Sequence, residues 1–247
     1  MYKIVSFTLF ICCASLATAQ NLQATIGFDG KLLGGYSFQK WRSSVEMPAD
    51  ITLIPGDDDS LLSINCNWEP APRSATALNT NHAVYNGVVK EYLAQNGLPN
   101  ATPHIVQLFR VDLEGDGVDE MVIVAQNIMP QNRVAEIWAP NQPLYVAADI
   151  PIVQTAGQYS IVLLRKVVNG KVIEIPLGQY IALKSGNIET GDFTPPIIHK
   201  VFQFADLNGD GVLEIITGDF FYEGYLYGVY TIKDDKATWV LGYEEGN

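Results

Sequence analysis

Acidic side chains recur at fixed spacing in two short segments of the chain, and oxygen ligands of this kind suit a hard metal ion. Residues 112–120 read DLEGDGVDE and residues 206–214 read DLNGDGVLE, so oxygen-bearing side chains occupy positions 1, 3, 5 and 9 of each segment. Calcium takes roughly six to eight oxygen ligands. The glycines at positions 4 and 6 permit the positive φ angles of a tight turn. The sequence therefore predicts two calcium loops, the first loop (112–120) and the second loop (206–214).

An EF-hand is the obvious alternative, because its loop also carries alternating oxygen ligands. That loop ends in a bidentate glutamate at position 12, where this chain has Ile123 and Thr217. The last acid stands instead at position 9, as Glu120 and Glu214. The residues that follow are largely β-branched, which favours strands over helices. We therefore expect each calcium loop to connect two strands.

The pattern Asp-x-(Asp/Asn/Glu)-Gly-Asp-Gly-x-x-(Asp/Glu), followed by an aliphatic strand, resembles the calcium loops of FG-GAP and VCBS repeats. Such repeats occur in integrin-like β-propellers and in secreted bacterial proteins. The resemblance implies two structural Ca²⁺ ions, each bound by four side chains and by the carbonyl at position 7. The implied ligands are Asp112, Glu114, Asp116, Val118 and Glu120 in the first loop, and Asp206, Asn208, Asp210, Val212 and Glu214 in the second.

The resemblance is limited to the two short loops. The Phe-Gly and Gly-Ala-Pro signatures of the family are absent, and Glu114 stands where the family usually has Asp or Asn. The longer glutamate side chain could loosen the first site. The alternative for either loop is an Asx/Gly hairpin turn that binds no metal.

Predicted strands surround each loop in the same order, which makes two units of four strands. Their ranges are 104–111, 121–125, 159–168 and 171–177 around the first loop, and 197–204, 215–218, 225–232 and 238–243 around the second. Asn169-Gly170 predicts a hairpin turn inside the first unit. A propeller needs about four blades or more. We therefore expect a mainly β fold of two blade-like four-stranded antiparallel units, propeller-like or packed as sheets.

One amphipathic helix is predicted near residues 80–95, because apolar residues recur on one face and Gly97 and Pro99 follow its end. Its predicted apolar face comprises Ala77, Val84, Val88, Tyr92 and Leu93, and its predicted cap is Asn79 or Thr80. The predicted organisation is a signal peptide (1–19), an N-terminal β segment with the helix (20–100), and the tandem calcium-loop units (101–247) with an insertion at 126–157.

The first residues of the chain have the pattern of a secretory signal. Lys3 precedes an apolar run, and Ala17-Thr18-Ala19 precedes Gln20, so we expect cleavage near Ala19-Gln20 and a secreted or periplasmic protein. The formal net charge of −12 disfavours nucleic acid and anionic lipid as partners. No later segment is apolar over the length that a membrane span needs, so membrane insertion is not expected.

No catalytic motif stands out, and the three histidines at 82, 104 and 199 are scattered along the chain. We therefore expect a non-enzymatic, secreted calcium-binding domain that binds a protein or glycan surface. The alternative is an extracytoplasmic hydrolase acting on glycan or peptide, with calcium in a structural role. That alternative would use Glu223 within the aromatic segment 220–225, Asp149, and the 126–157 insertion as a lid.

Overall fold

The computed structural model describes residues 68–128, 153–186, 194–222 and 224–246, and the backbone of five strands within residues 22–66. The predicted signal peptide, most of the predicted insertion (129–152) and Glu223 lie outside the described residues. The described chain is mainly β, as predicted, and contains one α-helix. Its strands form three antiparallel sheets.

The N-terminal sheet has the strand order β1-β5-β4-β2. Its strands are β1 (Leu22–Ile26), β2 (Gln39–Lys40), β4 (Asp50–Ile54) and β5 (Leu61–Cys66). A further short strand, β3 (Arg42–Ser43), lies between β2 and β4 in sequence but belongs to another sheet.

The first loop sheet carries the first loop between two of its central strands. Its strands are β6 (Thr76–Ala77), β7 (Ile105–Val111), β8 (Glu120–Gln126), β9 (Tyr159–Val168) and β10 (Lys171–Ile181). The order β10-β9-β8-β7-β6 confirms the predicted four-stranded meander and adds β6 at one edge. Asn169 and Gly170 have φ angles of 52° and 74°, which a two-residue hairpin of the predicted type requires.

The second loop sheet repeats this arrangement around the second loop. Its strands are β11 (Ile198–Ala205), β12 (Glu214–Phe221), β13 (Gly224–Lys233) and β14 (Lys236–Gly246). The order is β11-β12-β13-β14-β3, so the predicted meander is again confirmed and a short N-terminal strand completes the edge. In both sheets the loop that was predicted to bind calcium forms the turn between the first two strands of the meander.

The helix α1 (Ala83–Gln95) begins three residues later than predicted. Its N-cap is His82, which has an extended backbone and makes no side-chain cap hydrogen bond. The predicted cap was therefore wrong: Asn79 Oδ1 instead accepts a hydrogen bond from the Asn81 N–H at 2.9 Å, in a turn that precedes the helix.

The apolar face of the helix also differs from the prediction at two positions. Val84 lies in the first turn and is 59% exposed, and Ala77 belongs to strand β6. The residues that the helix buries are Val89 and Leu93. Because they lie four positions apart, they fall on one face of the helix, and this face packs against the first loop sheet.

The first loop sheet is the middle layer of three. One face contacts α1, and the core there contains Ile105, Leu108, Met121, Ile123, Ala125, Tyr159, Ile161 and Leu163. The other face contacts the second loop sheet, and the core there contains Val111, Val122, Val124, Val162, Leu164, Ile175, Val201, Phe204, Ile215 and Ile232. Both faces of the middle sheet are covered, which explains why all seven residues of β8 are buried.

The two loop sheets therefore pack face to face, and within the described ranges they form open sheets, not a ring. Gln107 links them, because its carboxamide donates to the Val201 carbonyl at 3.0 Å and accepts from the Val201 N–H at 2.9 Å. No helix among the described residues is long and apolar enough to cross a bilayer.

Candidate metal centre

The aspartate at position 1 organises the backbone of the first loop. Asp112 Oδ1 accepts hydrogen bonds from the N–H groups of Gly115 at 2.7 Å and Asp116 at 3.2 Å. Its Oδ2 accepts from the Gly117 N–H at 3.1 Å. The two glycines have φ angles of 72° and 82°, as the sequence predicted, and these angles turn their N–H groups toward the aspartate.

The second loop repeats the hydrogen bonds from its two glycines, but the Asp210 N–H donates to Asn208 Oδ1 at 2.8 Å. Asp206 Oδ1 accepts from the Gly209 N–H at 2.6 Å, and Oδ2 accepts from the Gly211 N–H at 2.9 Å. The φ angles of these glycines are 78° and 83°. The two loops therefore share a backbone conformation as well as a sequence pattern.

The acids at positions 5 and 9 also have matching partners in the two loops. Asp116 Oδ1 and Asp210 Oδ1 each accept from the N–H two residues later, both at 2.8 Å. Glu120 Oε2 accepts from the N–H at position 2 of its loop at 2.9 Å, and Glu214 Oε2 does so at 2.7 Å. Glu120 is 3% exposed and Glu214 is 1% exposed. Both glutamates thus anchor the start of the loop to its final strand.

The remaining oxygens of the second loop converge on one atom. The amide nitrogen Nδ2 of Asn208 lies 3.1 Å from Asp210 Oδ2 and 3.0 Å from Glu214 Oε1. These are the oxygens of positions 5 and 9 that no backbone N–H occupies through the bonds above. Ligands from positions 3, 5 and 9 therefore already lie together. The Asn208 oxygen accepts from the Asp210 N–H, and rotation of the amide would bring this oxygen to the place of the nitrogen. Carboxylate and amide oxygens are ligand types that calcium takes.

No group of three or more His, Cys, Asp and Glu side chains is preformed as a metal centre in the part of the chain that the structure describes. Carboxylates repel one another, and in each loop a hydrogen-bond donor lies among them. In the second loop that donor is the Asn208 amide, and in the first loop it is a lysine.

The first loop differs at position 3. Glu114 Oε1 lies 2.8 Å from Lys166 Nζ, and the Lys166 side chain is only 2% exposed. Lys166 comes from β9, which pairs with the strand that ends the first loop. The first loop thus carries a buried ammonium group next to one of its predicted ligands. In β9, Lys166 lies on the same face of the strand as the buried residues Val162 and Leu164. A charged residue at such a position is the feature of the sequence that could have indicated this contact.

Burial raises the pKa of both glutamates at position 9. The pKa of Glu214 rises from 4.5 to about 8 through desolvation; the Leu207 N–H lowers it, and the Asp210 and Asp206 carboxylates raise it. Desolvation also raises the pKa of Glu120, but here the ammonium of Lys166 acts in the opposite direction. Lys166 therefore partly offsets the effect of burial on Glu120, whereas the acidic neighbours of Glu214 add to the effect of its burial.

A segment that precedes the helix fastens the two loops together. Arg73 donates from Nε to the Asp112 carbonyl at 2.7 Å, and from Nη2 to the Leu113 carbonyl at 2.9 Å and the Gly211 carbonyl at 2.6 Å. The Leu213 N–H donates to the Leu113 carbonyl at 2.8 Å. The first and second loops are therefore directly hydrogen-bonded neighbours, although they lie far apart in sequence.

Trp68 holds the second loop in a similar way. Its Nε1 donates to the Asp206 carbonyl at 2.8 Å, and the Asp206 N–H donates to the Pro70 carbonyl at 2.8 Å. A Cβ on Gly209 would come within 3.0 Å of the Trp68 ring. Neither Arg73 nor Trp68 was singled out from the sequence, because residues before the helix carry no pattern that points to a loop so distant in the chain.

The predicted carbonyl ligands belong to residues whose side chains are not buried. Val118 is 48% exposed, and Val212 is partly buried. At position 7 the side chain therefore has no part in the packing, and a carbonyl is the only oxygen that this residue can offer.

A second polar cluster lies between the two loop sheets, away from the loops. His199 is buried, and its Nδ1 lies 2.6 Å from Asp219 Oδ1 on the neighbouring strand. The His199 N–H donates to Ser160 Oγ at 2.9 Å, and Ser160 pairs across β9 with Gln126 and Tyr180. Among the described residues, the buried polar atoms without a hydrogen-bond partner are Gln126 Oε1, Tyr180 Oη and His199 Nε2.

This cluster was not predicted, because its members come from five strands and share no spacing. His199, one of the three scattered histidines, lies in the core between the sheets. His104 is held by a contact between its Nδ1 and the Gln126 carbonyl at 2.9 Å. His82 is the exposed N-cap residue of the helix.

No protein-family model, curated protein or solved structure matches this chain. The similarity to FG-GAP and VCBS repeats accordingly stays a prediction that rests on the two loops.

Proposed function

We propose that this protein is a secreted, non-enzymatic calcium-binding domain that binds a protein or glycan surface. In this proposal each loop binds one structural calcium ion. The first site comprises Asp112, Glu114, Asp116, Val118 and Glu120, and the second comprises Asp206, Asn208, Asp210, Val212 and Glu214.

The observation that carries the proposal is the convergence at Asn208. The side chains of positions 3, 5 and 9 of the second loop meet there within hydrogen-bond distance. Carboxylate and amide oxygens are typical calcium ligands. A hairpin turn without a metal would not need the side chains of Asn208, Asp210 and the buried Glu214 to point to one place.

A bound ion would stabilise the fold through the elements that its ligands join. Position 1 directly follows the last residue of the preceding strand, and position 9 is the first residue of the next strand. Glu214 is buried, so a divalent ion there would balance a charge that is otherwise costly to bury. Calcium would therefore tie two strands of each sheet together and reduce repulsion between the acids.

The proposed binding role rests on the surface that such a scaffold would present. Tyr222, in the turn between β12 and β13, and Trp239, in β14, are each 39% exposed. Partly exposed aromatic residues are enriched where proteins contact their partners. A sheet held rigid by calcium would offer these side chains with little loss of conformational entropy on binding.

Thermal unfolding of the chelator-treated protein, with and without millimolar calcium, tests the proposal. At a calcium concentration of about 100 times the dissociation constant, one site adds about 2.7 kcal/mol to the free energy of unfolding. We expect calcium to raise the melting temperature of the wild type, and Asp116→Ala and Asp210→Ala each to reduce that rise.

The matched control is Asp234→Ala, which removes an acid from the turn between β13 and β14, outside both loops. Calcium should raise the melting temperature of this variant as much as it does for the wild type. Equal melting temperatures of the wild type with chelator and with millimolar calcium would contradict the proposal.

A further inference from the structure

We propose that Lys166 competes with calcium in the first loop, so that the second loop binds calcium more tightly and fills first. This inference rests on the proposed function of the two loops. It assigns to Lys166, a residue outside both loops, control over the calcium affinity of one of them.

Lys166 lies directly beside the first loop. Its Nζ lies 2.8 Å from Glu114 Oε1, the side chain at position 3. Met121 pairs with Arg165 across β8 and β9, so Glu120 lies opposite Lys166, one residue closer to the loop. The ammonium group therefore stands beside the predicted ligands of positions 3 and 9.

The second loop has a different residue at the strand position that Lys166 occupies beside the first loop. Ile215 pairs with Tyr230 across β12 and β13, so Glu214 lies opposite Thr231. The strand position that holds a buried ammonium group in the first loop sheet holds a neutral, partly buried threonine in the second. The two loops share the hydrogen bonds from their glycine N–H groups to the first aspartate and from position 2 to the last glutamate. They differ at this neighbouring position.

The two hydrogen-bond donors, the Asn208 amide and the Lys166 ammonium group, differ in whether they can bind a calcium ion. In the second loop the donor among the carboxylates is the amide of Asn208, which is neutral. Its own oxygen accepts from the Asp210 N–H at 2.8 Å and would turn to the ion if the amide rotated. In the first loop the donor is Lys166, which has no lone pair to offer when protonated and carries a positive charge. Asn208 can become a ligand, whereas Lys166 can only repel the ion.

The Lys166 side chain is buried. It is 2% exposed, so water screens its charge poorly, and charges interact more strongly in such surroundings. Calcium in the first loop must break the bond between Lys166 and Glu114 and then remain near the ammonium group. We expect the first loop to bind calcium at least about tenfold more weakly than the second, which corresponds to about 1.4 kcal/mol.

Calorimetric titration of the chelator-treated protein with calcium chloride tests this inference. The Asp210→Ala background isolates the first loop, and there Lys166→Met should strengthen calcium binding about tenfold or more. Lys171→Met is the matched control, because it removes the same charge from an exposed position in the same sheet. This control should leave the affinity of the first loop unchanged.

The reciprocal change tests the same idea without touching Lys166. In the Asp116→Ala background, which isolates the second loop, Thr231→Lys should weaken calcium binding about tenfold by placing an ammonium group opposite Glu214. This variant also serves if Lys166→Met fails to fold, as judged by its melting curve in chelator.

The possible outcomes separate the inference from the proposed function. Tight binding at the second loop, weak binding at the first and a gain from Lys166→Met support both. Equal affinities in the two loops, or no gain from Lys166→Met together with no loss from Thr231→Lys, overturn the inference and leave the proposed function standing. Absence of calcium binding at either loop overturns both.

Discussion

Glu214 shows how strongly one residue of the second loop depends on its charge balance. Its side chain is buried, it accepts a hydrogen bond from the Leu207 N–H, and its second oxygen lies 3.0 Å from the Asn208 amide. Desolvation raises its pKa to about 8. Near neutral pH the Glu214 carboxyl group is therefore mostly protonated, and a calcium ion bound in the proposed site would have to displace that proton.

This pKa predicts how the stability of the calcium-free protein changes with pH. The folded pKa of about 8 lies above the value of about 4.5 in the unfolded chain, so the folded state binds the proton more tightly. The resulting stabilisation is fully present below about pH 4.5 and is lost as the pH rises through 8. One pKa unit corresponds to about 1.4 kcal/mol, so the total loss is on the order of several kcal/mol.

Glu214→Gln supplies the measurement and its control, because glutamine keeps the shape of the side chain and does not titrate. Denaturant unfolding in chelator at pH 5, 6, 7 and 8 should show the wild type losing stability relative to Glu214→Gln as the pH rises. A difference between the two proteins that stays constant over this range would contradict the predicted pKa.

Gly211 carries a second prediction at the residue scale. Its φ angle is +83°, and no heavy atom lies within 4 Å of the position that a Cβ would occupy. Gly211→Ala therefore meets open space, and its cost comes only from the left-handed backbone, about 1–2 kcal/mol. Denaturant unfolding measures this loss.

Gly87 is the matched control for that substitution. It lies in the exposed middle of α1, and its Cβ position is also open. Here alanine favours the helix, so Gly87→Ala should stabilise the protein by up to about 1 kcal/mol. If Gly211→Ala, like Gly87→Ala, did not lower the free energy of unfolding, the loop would not hold the described conformation.

Among elements, the segment before the helix matters most to the site, because Arg73 joins both loops. Its guanidinium donates to carbonyls of Asp112 and Leu113 in the first loop and of Gly211 in the second. Arg73→Met keeps much of the side-chain length and removes all three hydrogen bonds. We expect a loss of about 2 kcal/mol in the free energy of unfolding.

Arg110→Met is the matched control for Arg73→Met. Arg110 lies 3.3 Å from Asp119 beside the first loop, and both side chains are about half exposed. Exposed ion pairs contribute roughly 0–1 kcal/mol, so this variant should melt near the wild type. Equal losses from the two arginine variants would contradict the proposed role of Arg73 as the link between the loops.

Elements with strong sequence patterns could be predicted, and short or pattern-free ones could not. The strands around both loops alternate or are continuously apolar, and the turn at Asn169-Gly170 has the residue types that positive φ angles demand. Strands β3 and β6 have only two residues each, which is too short for any periodicity. The helix start was wrong because Asn79 makes a local turn instead of a cap.

The loops could be predicted in part, for a related reason. The hydrogen bonds of Asp112 and Asp206 are local and follow from the spacing of acids and glycines. The partners that distinguish the two loops are distant in sequence: Lys166 lies 52 residues from Glu114, and Arg73 lies 138 residues from Gly211. Such contacts depend on how the sheets pack, which no local pattern encodes.

At the scale of the whole molecule, the three layers bring the first and second loops together. The face-to-face packing of the loop sheets places Leu113 and Leu213 in one core and joins their backbones by a hydrogen bond of 2.8 Å. The net charge of the chain is −12, and eight acids lie in these two adjacent loops. Divalent cations would relieve this local repulsion as well as fasten the strands.

The most direct test of the account is a crystal structure of the protein grown with calcium chloride, with anomalous scattering measured to locate the ions. The account predicts a calcium peak in the second loop, with oxygens of Asp206, Asn208, Asp210 and Glu214 and the Val212 carbonyl at roughly 2.3–2.6 Å. The Asn208 amide should then present its oxygen to the ion. A well-ordered second loop that shows no anomalous peak and keeps the Asn208 amide nitrogen bonded to Asp210 and Glu214 would contradict it.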